Sequence, residues 1–397
     1  MSATTVSGAM RMRSSESATI GAARMADALA RACELWRDRN CARRRDAIAA
    51  IADSAGYSIA MLENSIDALL KPFTTDALKA MAARVSADNR NSSRPKTVGF
   101  IAAGNVAGAG IHEIAIALIA GVRVLIKTAS AEPIFFAEFA RTLAEVDRDA
   151  GKRIEVLNWG RARVDLTDEL IAKCECVVVY GDDATIESLR NRRKVMGFGS
   201  RVSAALIDAS RIDGVAELLA RDVALFEQLG CLSLHHVFVV NPDSRGAHDL
   251  AIGMAQALER LAVSMPPARI PVRDAAEIRG VRERARWRAI AGEPVELFEG
   301  RGLEWTVVFE AKVGSFRVSP GFRTVHATAV RDLAEFRDCI GSMSGRIEAM
   351  AVAGHDCEIE ARAMGIPYVC APGEMQSPPL DWRHGGGGFL DMMVGPR

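Results

Sequence analysis

No apolar run in this sequence approaches the roughly 20 residues that a bilayer-spanning helix needs, so no membrane span is expected. An excess of either charge is also missing. Lys plus Arg number 50, as do Asp plus Glu, so the formal net charge is zero. That balance gives no reason to expect a nucleic-acid or anionic-membrane partner. Cysteine is thinly scattered, at positions 33, 41, 174, 176, 231, 339, 357 and 370. Cys174-Glu-Cys176 is not a zinc spacing, and the dispersed histidines suggest no metal site. No secretory signal and no internal repeat are evident, so the expected setting is a reducing cytoplasm. Residues 1–22 are rich in Ser, Thr, Ala and Gly, with Arg11 and Arg13. That composition has the flavour of a transit peptide, but Glu16 and weak amphipathicity favour a disordered tail.

What is present is an ordinary soluble composition, 49% apolar and 25% charged over 397 residues, enough for two or three domains. From about Ile20 to Ser86 the pattern is helical, with Trp36, Ile48, Ile51, Met61 and Leu62 as candidate core residues. The basic run Arg43–Arg45 reads as a solvated helix face, and Ala87–Lys96 as a linker. Strand-like runs at Thr97–Ala102, Arg123–Thr128, Arg153–Asn158, Cys176–Gly181 and Val202–Ile207 then alternate with helical stretches. This predicts an α/β fold with a doubly wound parallel sheet, whose ligands bind beyond the carboxyl ends of the strands. A second α/β unit starts near Asp208, and the Pro- and Gly-rich stretch from Ala371 reads as a loop packing over the cleft. The expected division is a tail at 1–22, helices plus a cofactor domain at 23–207, a catalytic domain at 208–370 and a C-terminal loop segment at 371–397.

The stretch DVALFEQLGCLSLHHVFVV, Asp222–Val240, places Cys231 between the end of a helix and a strand. There a thiol can stand at the mouth of a cleft beside backbone N–H groups that stabilise a thiolate and an oxyanion. The bland reading is a buried structural cysteine. Asn105 lies in AAGNVAGAG, a glycine-rich turn between strand and helix, where its amide can donate to an oxyanion or simply form a loop. The spacing is not G-x-G-x-x-G. Lys127 in VLIKTAS ends a strand, where a cation can meet ribose hydroxyls or a 2′-phosphate, with Thr128 and Ser130 as further donors. A surface lysine is the alternative. Gly181 in YGDD suits close backbone approach by a ligand, and the two acids following it fit helix capping. Of His235 and His236, adjacent in a strand, at most one can face the thiol as a base.

In order and spacing, these segments resemble the long-chain acyl-CoA reductases (LuxC-like), a branch of the aldehyde dehydrogenase superfamily. The matching segments also include SRVSAALID, WTVVFE, SPGFRTV and PGEMQSPPLDWRH. The resemblance implies an aldehyde-dehydrogenase-like pair of α/β domains. It implies NADPH-dependent reduction of a fatty acyl-CoA or other acyl thioester to aldehyde, through a thioester on Cys231. Asn105 then matches the oxyanion-hole asparagine, Lys127 the cofactor-contacting lysine, and Gly181 the turn near the pyrophosphate. An acyl-carrier or acyl-protein synthetase-like partner and a homo-oligomer are implied too. Where hydrolytic relatives carry a general-base glutamate, this chain reads Ala204-Ala205-Leu206, and no counterpart of their ribose-binding glutamate is clear. The alternatives are NAD(P)-dependent aldehyde oxidation and a non-catalytic partner subunit.

Overall fold

The computed structural model describes residues 21–395 apart from 89–93, 191, 193, 194, 242 and 313. The expected tail therefore lies almost wholly outside the described residues, as does half of the expected linker. The apolar, β-branched runs form strands that lie in parallel, because both faces of each sheet are covered. The first sheet contains β1 (Thr97–Ile101), β2 (Arg123–Thr128), β3 (Ile154–Asn158), β4 (Cys176–Tyr180) and β5 (Val195–Phe198). Its order is β3-β2-β1-β4-β5 and all pairings are parallel. The order reverses between β1 and β4, which is where such a sheet leaves a crevice for ligand.

The second sheet contains β6 (Val202–Asp208), β7 (Leu234–Val240), β8 (Val295–Glu299), β9 (Thr306–Glu310), β10 (Thr324–Val330), β11 (Ile347–Ala353) and β12 (Tyr368–Cys370). Its order is β12-β11-β6-β7-β10-β9-β8, parallel except for the antiparallel edge strand β8. Two boundary expectations need correction. Val202–Asp208 pairs with β7 and β11, so it belongs to the second sheet and not with residues 23–207. A strand followed by a helix reads the same in either sheet, and only pairing decides. The segment 371–397 is not all loop, because Gly388–Val394 is a helix. Its Phe389 ring meets Phe100 of β1 edge-on at 5.8 Å, which returns the chain end to the first unit.

Four helices, Ala22–Arg37, Ala42–Ala55, Ile59–Leu70 and Thr75–Ala87, precede the first sheet. Trp36, Ile48, Ile51, Met61 and Leu62 are all buried in its core. Arg44 corrects the solvated-face reading of Arg43–Arg45. It is buried, donating to the Arg37 carbonyl at 2.9 Å and to Asp67 at 2.7 Å. The helical repeat sets it on the same face as Ala47, Ile48 and Ile51, and its guanidinium reaches partners beyond that face. Among the described residues no helix is long and apolar enough to cross a membrane.

Candidate active site

The helix Val215–Ala224 ends in a turn that L-residues rarely adopt. Phe226, Glu227 and Gln228 all have positive φ, at 53°, 52° and 61°. Such a conformation costs roughly 1–2 kcal/mol per residue, so the surroundings must enforce it. Glu227 does so through a fully buried ion pair with Arg323, at 2.8 and 3.1 Å. The Gln228 amide donates to the carbonyls of Leu234 (2.5 Å) and Thr324 (2.7 Å), and its oxygen accepts from the Thr324 N–H (2.8 Å). With the turn fixed, Cys231 emerges at the head of β7, and the Ser203 hydroxyl donates to its carbonyl at 2.8 Å. The Cys231 N–H has no protein acceptor among the described residues.

A cleft of about 1230 Å³ runs from the carboxyl ends of the first sheet to Cys231. Asn105, Lys127, Ser130, Gly181 and Cys231 all line it. Asn105 is held near the cysteine turn, its amide donating to the Leu229 carbonyl at 2.6 Å while its own carbonyl accepts from Tyr57. The turn after β1 and the turn after β2 touch closely. A Cβ on Gly104 would stand 2.9 Å from that of Ala129. Lys127 is lowered from its ordinary value by burial and by the nearby Arg161 cation. Thr128 is a correction. It is fully buried, donates to the Leu157 carbonyl and accepts from Asn158, because neighbours in a strand point to opposite faces. Asp182 does what an acid after a strand commonly does, accepting from the Thr185 N–H at 2.7 Å.

Neither histidine of β7 meets the thiol. His235 lines the cleft, but its Nδ1 accepts from the Ser319 N–H at 3.1 Å, and burial pushes it down to about 4. His236 lies on the opposite face against Phe238 and Phe316. The histidine that reaches Cys231 is one the sequence reading did not single out. His384 Nε2 stands 3.9 Å from Cys231 Sγ, and its Nδ1 lies 2.9 Å from Glu113 Oε1. The ring is sandwiched between Phe198 (4.1 Å, 11°) and Trp382 (4.3 Å, 20°). Gly385 makes the sandwich possible, since its φ is +59° and a Cβ there would sit 2.8 Å from Phe198. Glu113 comes from the first turn of the helix Ile111–Ile119, where the helix dipole favours an anion. Burial opposes charge on both partners. Their mutual attraction outweighs it, raising His384 to about 10 and lowering Glu113 to about 2.

The chain matches a family described as acyl-CoA reductase (LuxC) over residues 19–395. A long-chain acyl-protein thioester reductase 2 from Photobacterium leiognathi is 23% identical over 245 residues, covering 59% of this chain and 48% of that protein. A second such reductase, from Aliivibrio fischeri, is 24% identical over 157 residues, covering 37% of this chain and 33% of that protein. The chain thus spans about half the length of the first of these relatives, and less of the second. Aldehyde dehydrogenase 21 from Physcomitrella patens has the same fold, at TM-score 0.70 and 14% identity over 94% of this chain and 85% of that one. The NADP-dependent glyceraldehyde-3-phosphate dehydrogenase of Bacillus halodurans C-125 gives 0.62 and 18%, over 89% and 79%.

Proposed function

The chain belongs to the acyl-CoA reductase (LuxC) family, and from that premise we propose that it reduces a fatty acyl thioester to the aldehyde through an acyl-Cys231 intermediate. The observation that carries this reading is the position of the thiol, at the inner end of a cleft that begins at the switch point of the first sheet. Sγ attacks the thioester carbonyl, and the thiol of the donor departs. The second amide hydrogen of Asn105 and the Cys231 N–H are the donors suited to the oxyanion that develops. The acyl donor is CoA, a carrier protein or an acyl-protein synthetase-like partner, and a homo-oligomer fits the same reading.

The cleft suits NADPH on its donor set. Lys127 and Arg161 bring two cations, Ser130 brings a hydroxyl, and Gly181 brings backbone at the end of β4. Lys127, Ser130 and Gly181 would hold the ribose and phosphates, so the first sheet serves as cofactor domain and the second as catalytic domain. When bound, this cofactor supplies the hydride that reduces the acyl carbonyl. Ala204 and Ala205 of β6, in the second sheet, are fully buried and bring no ionisable group to the cleft. That leaves the site without the water-activating glutamate of hydrolytic relatives and supports aldehyde release over oxidation.

The test is NADPH oxidation with a series of acyl-CoAs, beside Cys231→Ala. Turnover with equal aldehyde formation, lost in the variant, is expected. A variant as active as the parent, or reduction of NADP+ by aldehydes without any acyl-CoA turnover, overturns the reading.

A further inference from the structure

We propose that His384, oriented by Glu113, is the acid–base residue of this site, delivering the proton that the departing thiolate needs. The proposal rests on the reading of Cys231 as the acylated nucleophile, and it concerns the half-reaction that requires no cofactor. Three features of the geometry carry it. The carboxylate of Glu113 can only accept, so the proton on Nδ1 is committed to it and Nε2 is the nitrogen left facing sulfur. Phe198 and Trp382 clamp the ring from both sides, so it cannot turn away. The clamp also stabilises the charged form, because aromatic faces attract a cation.

The step balances as follows. The reacting pair is the His384 imidazolium and the Cys231 thiolate. Sulfur attacks the acyl carbonyl, forming the new carbon–sulfur bond and an oxyanion. Collapse of the oxyanion breaks the bond to the leaving sulfur, which takes the Nε2 proton and departs as a thiol. His384 is then neutral. When the aldehyde is later released, Cys231 leaves as thiolate and needs no proton. One proton from solvent restores the imidazolium, matching the single proton that the overall reduction consumes.

The groups facing His384 come from several elements. The helix Ile111–Ile119 supplies Glu113 and His112, the latter held low by burial and bonded through Nε2 to the Pro378 carbonyl. β11 supplies Glu348, whose Oε1 accepts from the Gly385 N–H at 3.0 Å and whose other oxygen lies 3.3 Å from Arg201. β4 supplies Tyr180, stacked at 5.8 Å. In its own segment Arg383 is paired to Asp391. Glu113 is the carboxylate in direct contact with the ring, which makes it the positioning residue.

The experiment is rapid-mixing measurement of thiol release from hexadecanoyl-CoA without cofactor, repeated with the hexadecanoyl ester of thiophenol. An aryl thiolate leaves without a proton, so it should bypass the acid. In His384→Asn the CoA burst is expected to slow about 100-fold, within the range for a lost general acid, and the aryl burst less than about 10-fold. In the parent protein, which needs no variant to fold, the CoA burst should weaken as pH climbs toward 10 while the aryl burst does not. Equal slowing of both esters, or no slowing, overturns the assignment of His384. Absence of any burst in the parent, or an unchanged burst in Cys231→Ala, instead overturns the reading of Cys231 and the proposal with it.

Discussion

Among the described residues two buried glutamates are ion-paired with histidine, and only one of them has chemistry to offer. Glu310, at the end of β9, is fully buried beside His326 (3.5 Å), but Arg288 and Arg317 also bind it. Burial would raise this carboxyl; His326 and the two arginines hold it well below its ordinary range instead. Glu113 has His384 as its close partner, and that histidine reaches onward to a thiol in the cleft. With arginines present, a carboxylate's charge is already balanced and the histidine beside it is redundant. Without them, the histidine must carry the balancing proton itself. The second arrangement creates a proton that can be moved, and the first creates a fixed cross-link between strands.

Replacing each glutamate by glutamine should therefore produce opposite losses. Glu113→Gln is expected to slow the cofactor-free CoA burst about 100-fold, because the imidazolium loses its counter-ion. Glu310→Gln should leave that burst unchanged and lower unfolding stability by about 2 kcal/mol. That is less than the roughly 3–5 kcal/mol of a fully buried broken pair, since both arginines are partly solvated. Burst kinetics and denaturant unfolding on the same two preparations decide it. Glutamine variants that lose burst rate equally would erase the distinction.

The comparison sharpens with pH. Folding raises His384 from its ordinary 6.5 to about 10, so its stabilising contribution is complete below pH 6.5 and drains away as pH climbs toward 10. Folding lowers Glu113 from 4.5 to about 2, so its contribution is complete above pH 4.5 and is lost as pH falls toward 2. The stability gap between parent and Glu113→Gln should be widest between pH 4.5 and 6.5 and close on both sides. A gap that does not change with pH would mean that the pair is not charged.

That Cys231, Asn105, Lys127, Ser130 and Gly181 line one cleft was readable in sequence, because each belongs to one short motif whose turn follows or precedes a strand. Period-two alternation should have excluded Thr128 once Lys127 was placed in the cleft. The proton-handling pair was not readable in that way, because His384 and Glu113 are 271 residues apart and meet only through the return of the chain end to the first unit. A trace was nevertheless present. Glu113 and His112 are the polar residues of IHEIAIALI, a helix buried along its whole length. A carboxylate within such a helix must have a partner. Arg44 left the same trace on its own helix. The sheet boundary near Val202 left none, because strand pairing has no local signature.

Arg161 offers the smallest effect and the finest test, because it contrasts the outer end of the cleft with the inner one. Inside, the charge of His384 is met by Glu113. Outside, Lys127 and Arg161 lie close enough for one cation to lower the other, and Arg161 makes no ion pair among the described residues. Asp182 also feels the Arg161 charge but is held by the Thr185 N–H. Two cations at the cleft suit an anion brought by the ligand, and the 2′-phosphate is what separates NADPH from NADH. Arg161 is exposed, so solvent screens it and its contribution is modest. Arg161→Ala should weaken NADPH binding about 10-fold, or ~1.4 kcal/mol, and NADH binding by less than a factor of about two. Titration calorimetry at two salt concentrations reads both, and the NADPH difference should shrink at the higher one. If both cofactors weaken equally, Arg161 supports the shape of the cleft and the phosphate is recognised elsewhere.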